Sequence, residues 1–313
     1  MRTSTRRPPV GARRPGRPGQ TSTTVRAVWE GNPFRHPAWL EAHTQILEPE
    51  LRVERWGDDA DPAITAHVVD GPLRLAGDRL SDRLDPPLTA LEQAAAAAQR
   101  RGQPVRFQRL PHRTAAGLAD RIGNEARITE VAASPTVRLG NGTWDAYLAR
   151  PDARRARRIA AQADRTLADP GVRVEVADAP DTIGSALDDL VRLHHLRFGD
   201  RSRSFEPAKH ATVAAAATRM SADGAASVRI LRVDDRPAAA LFLLTGEGAT
   251  WFHQSGWDPA FADRSVGRTL LVDAMRSSCA QGRDFHLLTG DHEYKQWWAT
   301  DDQPVATVEV LQW

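Results

Sequence analysis

Residues 249–295 read ATWFHQSGWDPAFADRSVGRTLLVDAMRSSCAQGRDFHLLTGDHEYK, and this stretch decides the fold that we expect for the chain. The segment Ala249–Trp257 alternates in the manner of a strand. Apolar side chains then recur at helical spacing from Val266 to Cys279. A buried-type strand over Phe285–Leu288 and a short helix around Glu293–Trp298 follow. The stretch therefore predicts strand, loop, helix, strand and helix in that order.

The loop before the long predicted helix is basic and contains a glycine. It reads Arg264-Ser265-Val266-Gly267-Arg268-Thr269, and Ser265 can cap the helix. The first amides of a helix have no intrahelical partner, and the helix dipole favours negative charge there. Gly267 would let a phosphate approach the backbone, and Arg264 and Arg268 add positive charge. The same pattern also occurs in ordinary loops that cap a core helix, so spacing alone leaves both interpretations open.

The composition is typical of a globular protein. The chain has 313 residues, of which 41% are hydrophobic and 26% charged, so one or two domains fit. No apolar run approaches the roughly 20 residues of a transmembrane helix, and no signal-peptide pattern is present, so we expect a cytoplasmic protein without a membrane partner. The single Cys279 excludes an internal disulfide. No cluster with metal-ligand spacing is found, and we expect no metal.

The first residues differ from the rest of the chain. Residues 1–26 contain seven arginines and no acidic residue, together with several prolines and glycines. Such a segment cannot form a core, and we predict a disordered tail over residues 1–24. It is either a contact for nucleic acid or another anionic surface, or a terminus without a function.

Four segments together resemble the CelD-type branch of the GNAT acetyltransferase superfamily, which is similar to the Fem aminoacyltransferases and carries two GNAT-like halves. The segments are Leu193-His194-x-x-Arg197, Arg236-Pro237-Ala238-Ala239, Arg264-x-x-Gly267-x-Thr269 and Gly290-x-x-Glu293-Tyr294-Lys295. The third resembles the pyrophosphate loop (Arg/Gln)-x-x-Gly-x-(Gly/Ala), from which Thr269 departs. The resemblance extends from about Val25 to the C-terminus.

The resemblance implies an α/β fold of tandem GNAT-like halves, in which mixed central sheets are flanked by helices. The expected segments are the tail (1–24), an N-terminal half without a phosphate loop (25–140), arginine-rich linker helices (141–175) and the C-terminal acyltransferase half (176–313). The alanine-rich helix of the first half is entered through Asp82 and Asp85 without a glycine, and acidic residues there would repel phosphate. We therefore expect one donor site per chain, in the second half.

The activity implied by the resemblance is direct transfer of an acyl group from acetyl-CoA or another acyl-CoA to an amine. The implied donor-binding residues are Arg264, Val266, Gly267, Arg268, Thr269 and Lys295. Tyr294 would protonate the leaving thiolate, because GNAT enzymes often place a tyrosine on the helix after the fifth strand. His253, Glu293 and Asp291 compete for the role of the base, and the sequence does not choose among them.

The acceptor side is less defined. His194 and Arg197 share one side of an amphipathic helix over Thr182–Phe198 and can bind an acidic substrate group. Arg154-Arg155-x-Arg157-Arg158 either reaches a phosphate-rich partner or forms the solvated face of a linker helix. A small-molecule or peptide amine is the expected acceptor, and its identity cannot be read from the sequence.

Two other functions fit the same fold. A Fem-type transferase would take its acyl group from aminoacyl-tRNA, and the arginine-rich helix and the basic tail suit tRNA phosphates. An inactive binding protein of the same fold is the third hypothesis.

Outside residues 249–295, the sequence also predicts the neighbouring strands. Two further strands are predicted, over Ser227–Val233 and Ala238–Leu244, and a turn separates them. With Ala249–Trp257, three antiparallel strands would lead into the glycine loop. Val305–Leu311 alternates as a final strand.

Overall fold

The computed structural model of the chain describes residues 29–58, 63–67, 71–199, 202, 204–290 and 292–313, with residues 63–67 described as backbone alone. The predicted tail over residues 1–24 lies outside these residues, as does Asp291. The described residues form two mixed sheets flanked by helices, which confirms the predicted fold class.

The strands and helices have the following bounds. The strands are β1 Arg52–Trp56, β2 Ala63–His67, β3 Leu73–Leu75, β4 Val105–Pro111, β5 Arg127–Ala132, β6 Pro135–Val137, β7 Val172–Ala177, β8 Ala226–Val233, β9 Arg236–Gly246, β10 Ala249–Trp257, β11 Asp284–His286, β12 Asp301–Asp302 and β13 Val305–Val310. The α-helices are α1 Pro37–Ala42, α2 Leu88–Arg100, α3 His112–Ile122, α4 Trp144–Ala149, α5 Arg154–Leu167, α6 Ile183–Phe198, α7 Pro207–Ala222, α8 Val266–Ala280 and α9 Glu293–Gln296.

The second sheet contains the strands that lead into the glycine loop. Its order is β12-β6-β11-β10-β9-β8-β7. Strands β8, β9 and β10 are antiparallel neighbours, as the sequence predicts, and β11 runs parallel to β10. Strand β9 is buried from Ala238 to Leu244, because α6 packs on the sheet from one side and α8 from the other.

The two sheets exchange strands that are distant in the sequence. The first sheet has the order β1-β2-β3-β4-β13-β5, so the last strand of the chain lies between two strands of the first half. In return, β6 from the first half pairs with β11 and β12 in the second sheet. The strand at the C-terminus is thus confirmed, while its place in the first sheet was not predicted. This exchange ties the two sheets together.

Helix α6 lies directly against β10 at Gly256. An ideal Cβ at this glycine would lie 2.3 Å from the backbone nitrogen of His194 and 2.6 Å from the carbonyl carbon of Leu193. Only a residue without a Cβ allows the helix to approach the strand this closely. Because both of these atoms belong to the backbone of α6, the helix itself would have to move to make room.

We expect Gly256→Ala to lower the free energy of unfolding by about 3 kcal/mol, since overpacking against backbone cannot be relieved by a rotamer change. Denaturation in urea, followed by circular dichroism, measures this loss. Gly184→Ala in helix α6 is the control, because a Cβ at Gly184 meets nothing within 4 Å. It should leave stability unchanged or raise it by about 1 kcal/mol. A Gly256→Ala protein as stable as the wild type would contradict the close approach.

Candidate active site

Strands β10 and β11 part from each other in the middle of the second sheet. Their parallel pairing covers Ala249–Trp251 against Asp284–His286, while β10 continues to Trp257. A bulge lies where the strands part: Phe252 pairs with Leu243 and Gln254 with Phe242, so His253 is an extra residue in β10. A bulge bends a strand and increases its twist. Two adjoining cavities of about 370 and 250 Å³ open along the free part of β10.

The smaller cavity lies at the start of α8. Ser265, Val266, Gly267 and Arg268 line it, opposite Trp257 of β10. The first bond of the helix runs from the amide of Thr269 to the Ser265 carbonyl, at 3.0 Å, so the amides of the three preceding residues lack an intrahelical acceptor. Together with the dipole of a 15-residue helix, they form a site suited to an anion.

Ser265 does not cap α8, so that prediction is wrong. Its backbone is left-handed, with φ at 51°, whereas a capping residue adopts extended backbone angles. Its hydroxyl instead lies 3.0 Å from the side-chain amide of Gln162, which donates to it. The loop is thereby fixed to α5.

The other predicted loop residues have different positions. Arg264 forms an ion pair with Asp169 at 3.0 Å and lies outside the cavity lining. Thr269 is buried on the inner face of α8, also outside the lining. Neither position supports a direct contact with a donor. Arg268 is exposed, and its guanidinium lies 5.7 Å from the centre of the Trp297 ring.

The larger cavity brings together five of the residues that the sequence singled out. It is lined by His194, Arg197, His253, Tyr294 and Lys295, which come from three separate segments. Arg197 and Tyr294 also line the smaller cavity, so the two cavities meet at these side chains.

Both ring nitrogens of His194 are hydrogen-bonded. Because a carbonyl can only accept, Nδ1–H donates to the Ser255 carbonyl at 2.8 Å, which leaves Nε2 to accept from the Ser202 hydroxyl at 2.6 Å. Burial lowers the pKa of the ring, which is therefore neutral at neutral pH. His194 thus joins α6 to β10.

Arg197 is a half-buried cation at the junction of the cavities. Its guanidinium lies over the rings of Phe198, at 4.5 Å, and Trp257, at 5.6 Å. Among the residues that the structure describes, it has neither an ion-pair nor a hydrogen-bond partner. Burial lowers the pKa of the guanidinium and Tyr294 opposes this, but arginine keeps its charge. Such a group favours an anionic ligand.

Tyr294 lies beside Arg197 with its ring stacked on His292, the ring centres being 5.9 Å apart. Burial raises the pKa of the phenol to about 12, and the positive charge of Arg197 acts in the opposite direction. Tyr294 therefore holds its proton at neutral pH and can donate a hydrogen bond into either cavity.

The extra residue of the bulge, His253, has one free ring nitrogen. Its Nε2–H donates to the Leu80 carbonyl at 3.0 Å, and the rings of Phe34, Trp39 and Phe242 surround it. The buried Nδ1 has no partner within the described chain. Burial lowers the pKa of the ring, with Asp82 opposing the shift, so Nδ1 carries a lone pair at neutral pH.

Two predicted residues are held elsewhere. The side chain of Glu293 is 76% exposed, forms an ion pair with Arg155 at 3.1 Å and lies outside both cavity linings, which does not support a role as the base. Lys295 is buried, and its ammonium donates to the carbonyls of Leu288, at 3.2 Å, and Thr289, at 2.6 Å. It supports the chain after β11 and lies outside the lining at the start of α8.

Asp82 is a residue of this site that the sequence did not predict. It lines the larger cavity, and its Oδ1 accepts a hydrogen bond from the Thr289 hydroxyl at 2.5 Å. The two residues are 207 positions apart, so no local pattern indicates that they meet.

Within the described ranges, no group of three or more His, Cys, Asp or Glu side chains could hold a metal ion. None of the described helices combines the length and the apolar character needed to cross a bilayer.

Comparisons with known proteins show what this chain is similar to. The family model of the acetyltransferase (GNAT) domain matches residues 153–296. A search of curated proteins gives no match. Three solved structures illustrate the likeness over nearly the whole chain, and at such low identity each shows the fold alone.

The first is a conserved protein of unknown function from Bacteroides thetaiotaomicron, with 11% identity, 87% of this chain and 90% of that chain covered, and a TM-score of 0.63. The second is the C-terminal domain of a putative lysylphosphatidylglycerol synthetase from Agrobacterium fabrum. It has 15% identity and a TM-score of 0.58, and the match covers 87% of this chain and 91% of that chain. The third is FemX, with 10% identity and a TM-score of 0.58, and the match covers 88% of this chain and 93% of that chain. Residues 153–296 are therefore similar to the acetyltransferase (GNAT) domain, and the fold of the chain is GNAT-like and similar to that of FemX.

Proposed function

We propose that this protein transfers an acyl group from acyl-CoA to an amine. The observation that carries this proposal is that the backbone amides of Val266, Gly267 and Arg268 have no intrahelical acceptor, while these residues line a cavity that adjoins a second one. A donor whose pyrophosphate contacts these amides would place its thioester near Arg197 and Tyr294. The acceptor would then enter from the larger cavity.

The side chains of the larger cavity suit the chemistry of this transfer. The amine nitrogen attacks the thioester carbon, a C–N bond forms, and the C–S bond breaks. The nitrogen gives a proton to Nδ1 of His253, while the phenol of Tyr294 donates to the departing sulfur and later recovers a proton from solvent. The extra residue of a bulge is left unpaired in the strand ladder, so the amide of His253 is suited to stabilise the developing oxyanion.

His253 is the base that we favour. Glu293 is directed away from the cavities, and His194 uses both ring nitrogens. His253 alone of these three combines a cavity position with a buried, unpartnered nitrogen. Because burial lowers its pKa, we propose that the neutral, proton-accepting form persists below the pH at which an ordinary histidine becomes charged.

A Fem-type donor, aminoacyl-tRNA, is the second hypothesis. The fold shared with FemX supports it, and so do Arg154 and Arg158, which are exposed on α5 without a partner among the described residues. The other two arginines of the Arg154–Arg158 cluster are engaged. Arg155 pairs with Glu293, and Arg157 donates to the carbonyls of Leu148 and Arg150. The phosphate backbone of a tRNA would therefore meet fewer free positive charges on α5 than the sequence suggests.

A calorimetric titration distinguishes the two donors. We expect the purified full-length protein to bind CoA with one site per chain, and binding of unfractionated tRNA in a mobility-shift assay at physiological salt to be weak or absent. Wild-type protein that shows no heat with millimolar CoA would contradict the acyl-CoA proposal. Tight tRNA binding in the same preparation would favour the Fem-type donor instead.

A further inference from the structure

A third cavity extends the larger one toward the first half of the chain. Its volume is about 260 Å³, and it shares Asp82, Ser204, His253 and Gln254 with the larger cavity. The far side is formed by the first half and includes Arg109 of β4. We refer to the larger and the third cavity together as the acceptor groove. An acceptor that fills it is therefore contacted by both halves.

Two strand bulges, one in each sheet, deliver side chains to this groove. In the second sheet, the bulge of β10 contains His253. In the first sheet, Leu110 pairs with Ala306 and Phe107 pairs with Val308. Between these pairs, β4 has two residues and β13 has one, so β4 bulges there. Arg109 is one of the two residues of the bulge. Arg109 has a left-handed backbone, with φ at 62°. Bulges redirect side chains next to active sites, and a left-handed backbone at arginine is kept only where the surrounding structure enforces it.

Most charges of the third cavity are neutralised within the protein. Asp78 forms an ion pair with Arg74 at 2.6 Å, Arg79 with Glu48 at 3.4 Å, and Lys209 with Glu206 at 3.3 Å. Two opposite charges remain without an ion-pair partner in the part of the chain that the structure describes, Asp82 and Arg109. Among the described residues, only the Thr289 hydroxyl donates a hydrogen bond to Asp82.

We propose that the acceptor groove binds an amine that also carries a carboxylate, as a free amino acid or a peptide does. Asp82 attracts the ammonium group, which loses one proton to solvent before it attacks. Nδ1 of His253 takes the second proton as the C–N bond forms, and the Arg109 guanidinium binds the carboxylate. Within the third cavity, one cation and one anion without ion-pair partners among the described residues fit a zwitterion better than a phosphate, which carries up to two negative charges and would face Asp82. This inference names the acceptor class and rests on the proposed acyl transfer.

Ligand-observed NMR with the full-length protein tests the inference without turnover. The probes are the twenty amino acids and glycylglycine, each with a free carboxylate, and the same compounds as carboxamides. We expect at least one free carboxylate to bind about 10- to 100-fold more tightly than its carboxamide, because the charge-assisted bond to Arg109 is lost in the amide. Arg109→Gln should remove this preference, and Arg109→Lys should restore part of it.

Arg113→Gln is the matched control, since its side chain is 82% exposed and lies outside the groove. It should keep the full preference. If no free carboxylate binds the wild type better than its amide, or if Arg109→Gln keeps the preference, the inference is overturned. CoA binding in the calorimeter together with such a result would leave the acyl-transfer proposal standing. A carboxylate preference without any CoA binding would overturn the donor assignment and spare the acceptor class.

Discussion

Gly267→Glu should abolish the binding of CoA and leave the fold intact. The new side chain would begin in the cavity that Gly267 lines and would bring a negative charge to the amides that are proposed to hold the pyrophosphate. Loss of these charge-assisted bonds, with like-charge repulsion added, should weaken CoA binding by roughly 100-fold or more. A carboxylate at a helix start is favourable to the helix itself. The new Cβ would lie 3.2 Å from the Trp257 ring, so only a small shift of that side chain is needed.

Helix α6 offers a matched control. Gly184 is the second residue of its helix, as Gly267 is of α8, and a Cβ at Gly184 meets nothing within 4 Å. Gly184→Glu should therefore bind CoA like the wild type. Both variants are compared by calorimetry, with thermal melting to confirm that they are folded. A folded Gly267→Glu protein with wild-type affinity would remove the start of α8 from the donor site.

Tyr294→Phe should lower the turnover number while CoA affinity stays nearly unchanged. The substitution keeps the ring between the two cavities and removes only the hydroxyl. General acids typically contribute about 100- to 10,000-fold. Since the pKa of the Tyr294 phenol is about 12, above the roughly 8.5 of a thiol, complete proton transfer is uphill in the ligand-free site. We therefore expect Tyr294→Phe to lower the turnover number by about 100-fold, the lower limit of the range for general acids. This factor corresponds to about 2.7 kcal/mol of transition-state stabilisation.

The chain has only one other tyrosine, and it provides the control. The hydroxyl of Tyr147 donates to the Trp298 carbonyl at 2.7 Å, outside both cavities. Tyr147→Phe should lower stability by about 1 kcal/mol and leave turnover unchanged. Turnover is followed as CoA release with a saturating donor and an acceptor found by the NMR panel. If Tyr294→Phe retains turnover within about threefold of the wild type, which is well short of the loss expected for a general acid, then Tyr294 only packs the site.

The sequence by itself determined the elements whose signals are local. Strands β8, β9 and β10 follow one another as the alternation and the turn indicate. The basic glycine loop leads into α8 as expected, although the structure starts the helix without the predicted serine cap. These features could be predicted because periodicity, turn residues and helix starts are properties of neighbouring residues.

The tertiary structure alone decided which strands pair and which charges remain free. The sequence could not assign β13 to the first sheet, because alternation in a strand carries no information about its partner. Arg264, which was expected to bind the donor, instead pairs with Asp169, 95 residues away in the sequence. Arg109 and His253 reach one groove only through bulges in different sheets. Such contacts depend on the packing of distant segments, and the free charges of the site are those that this packing leaves unpaired.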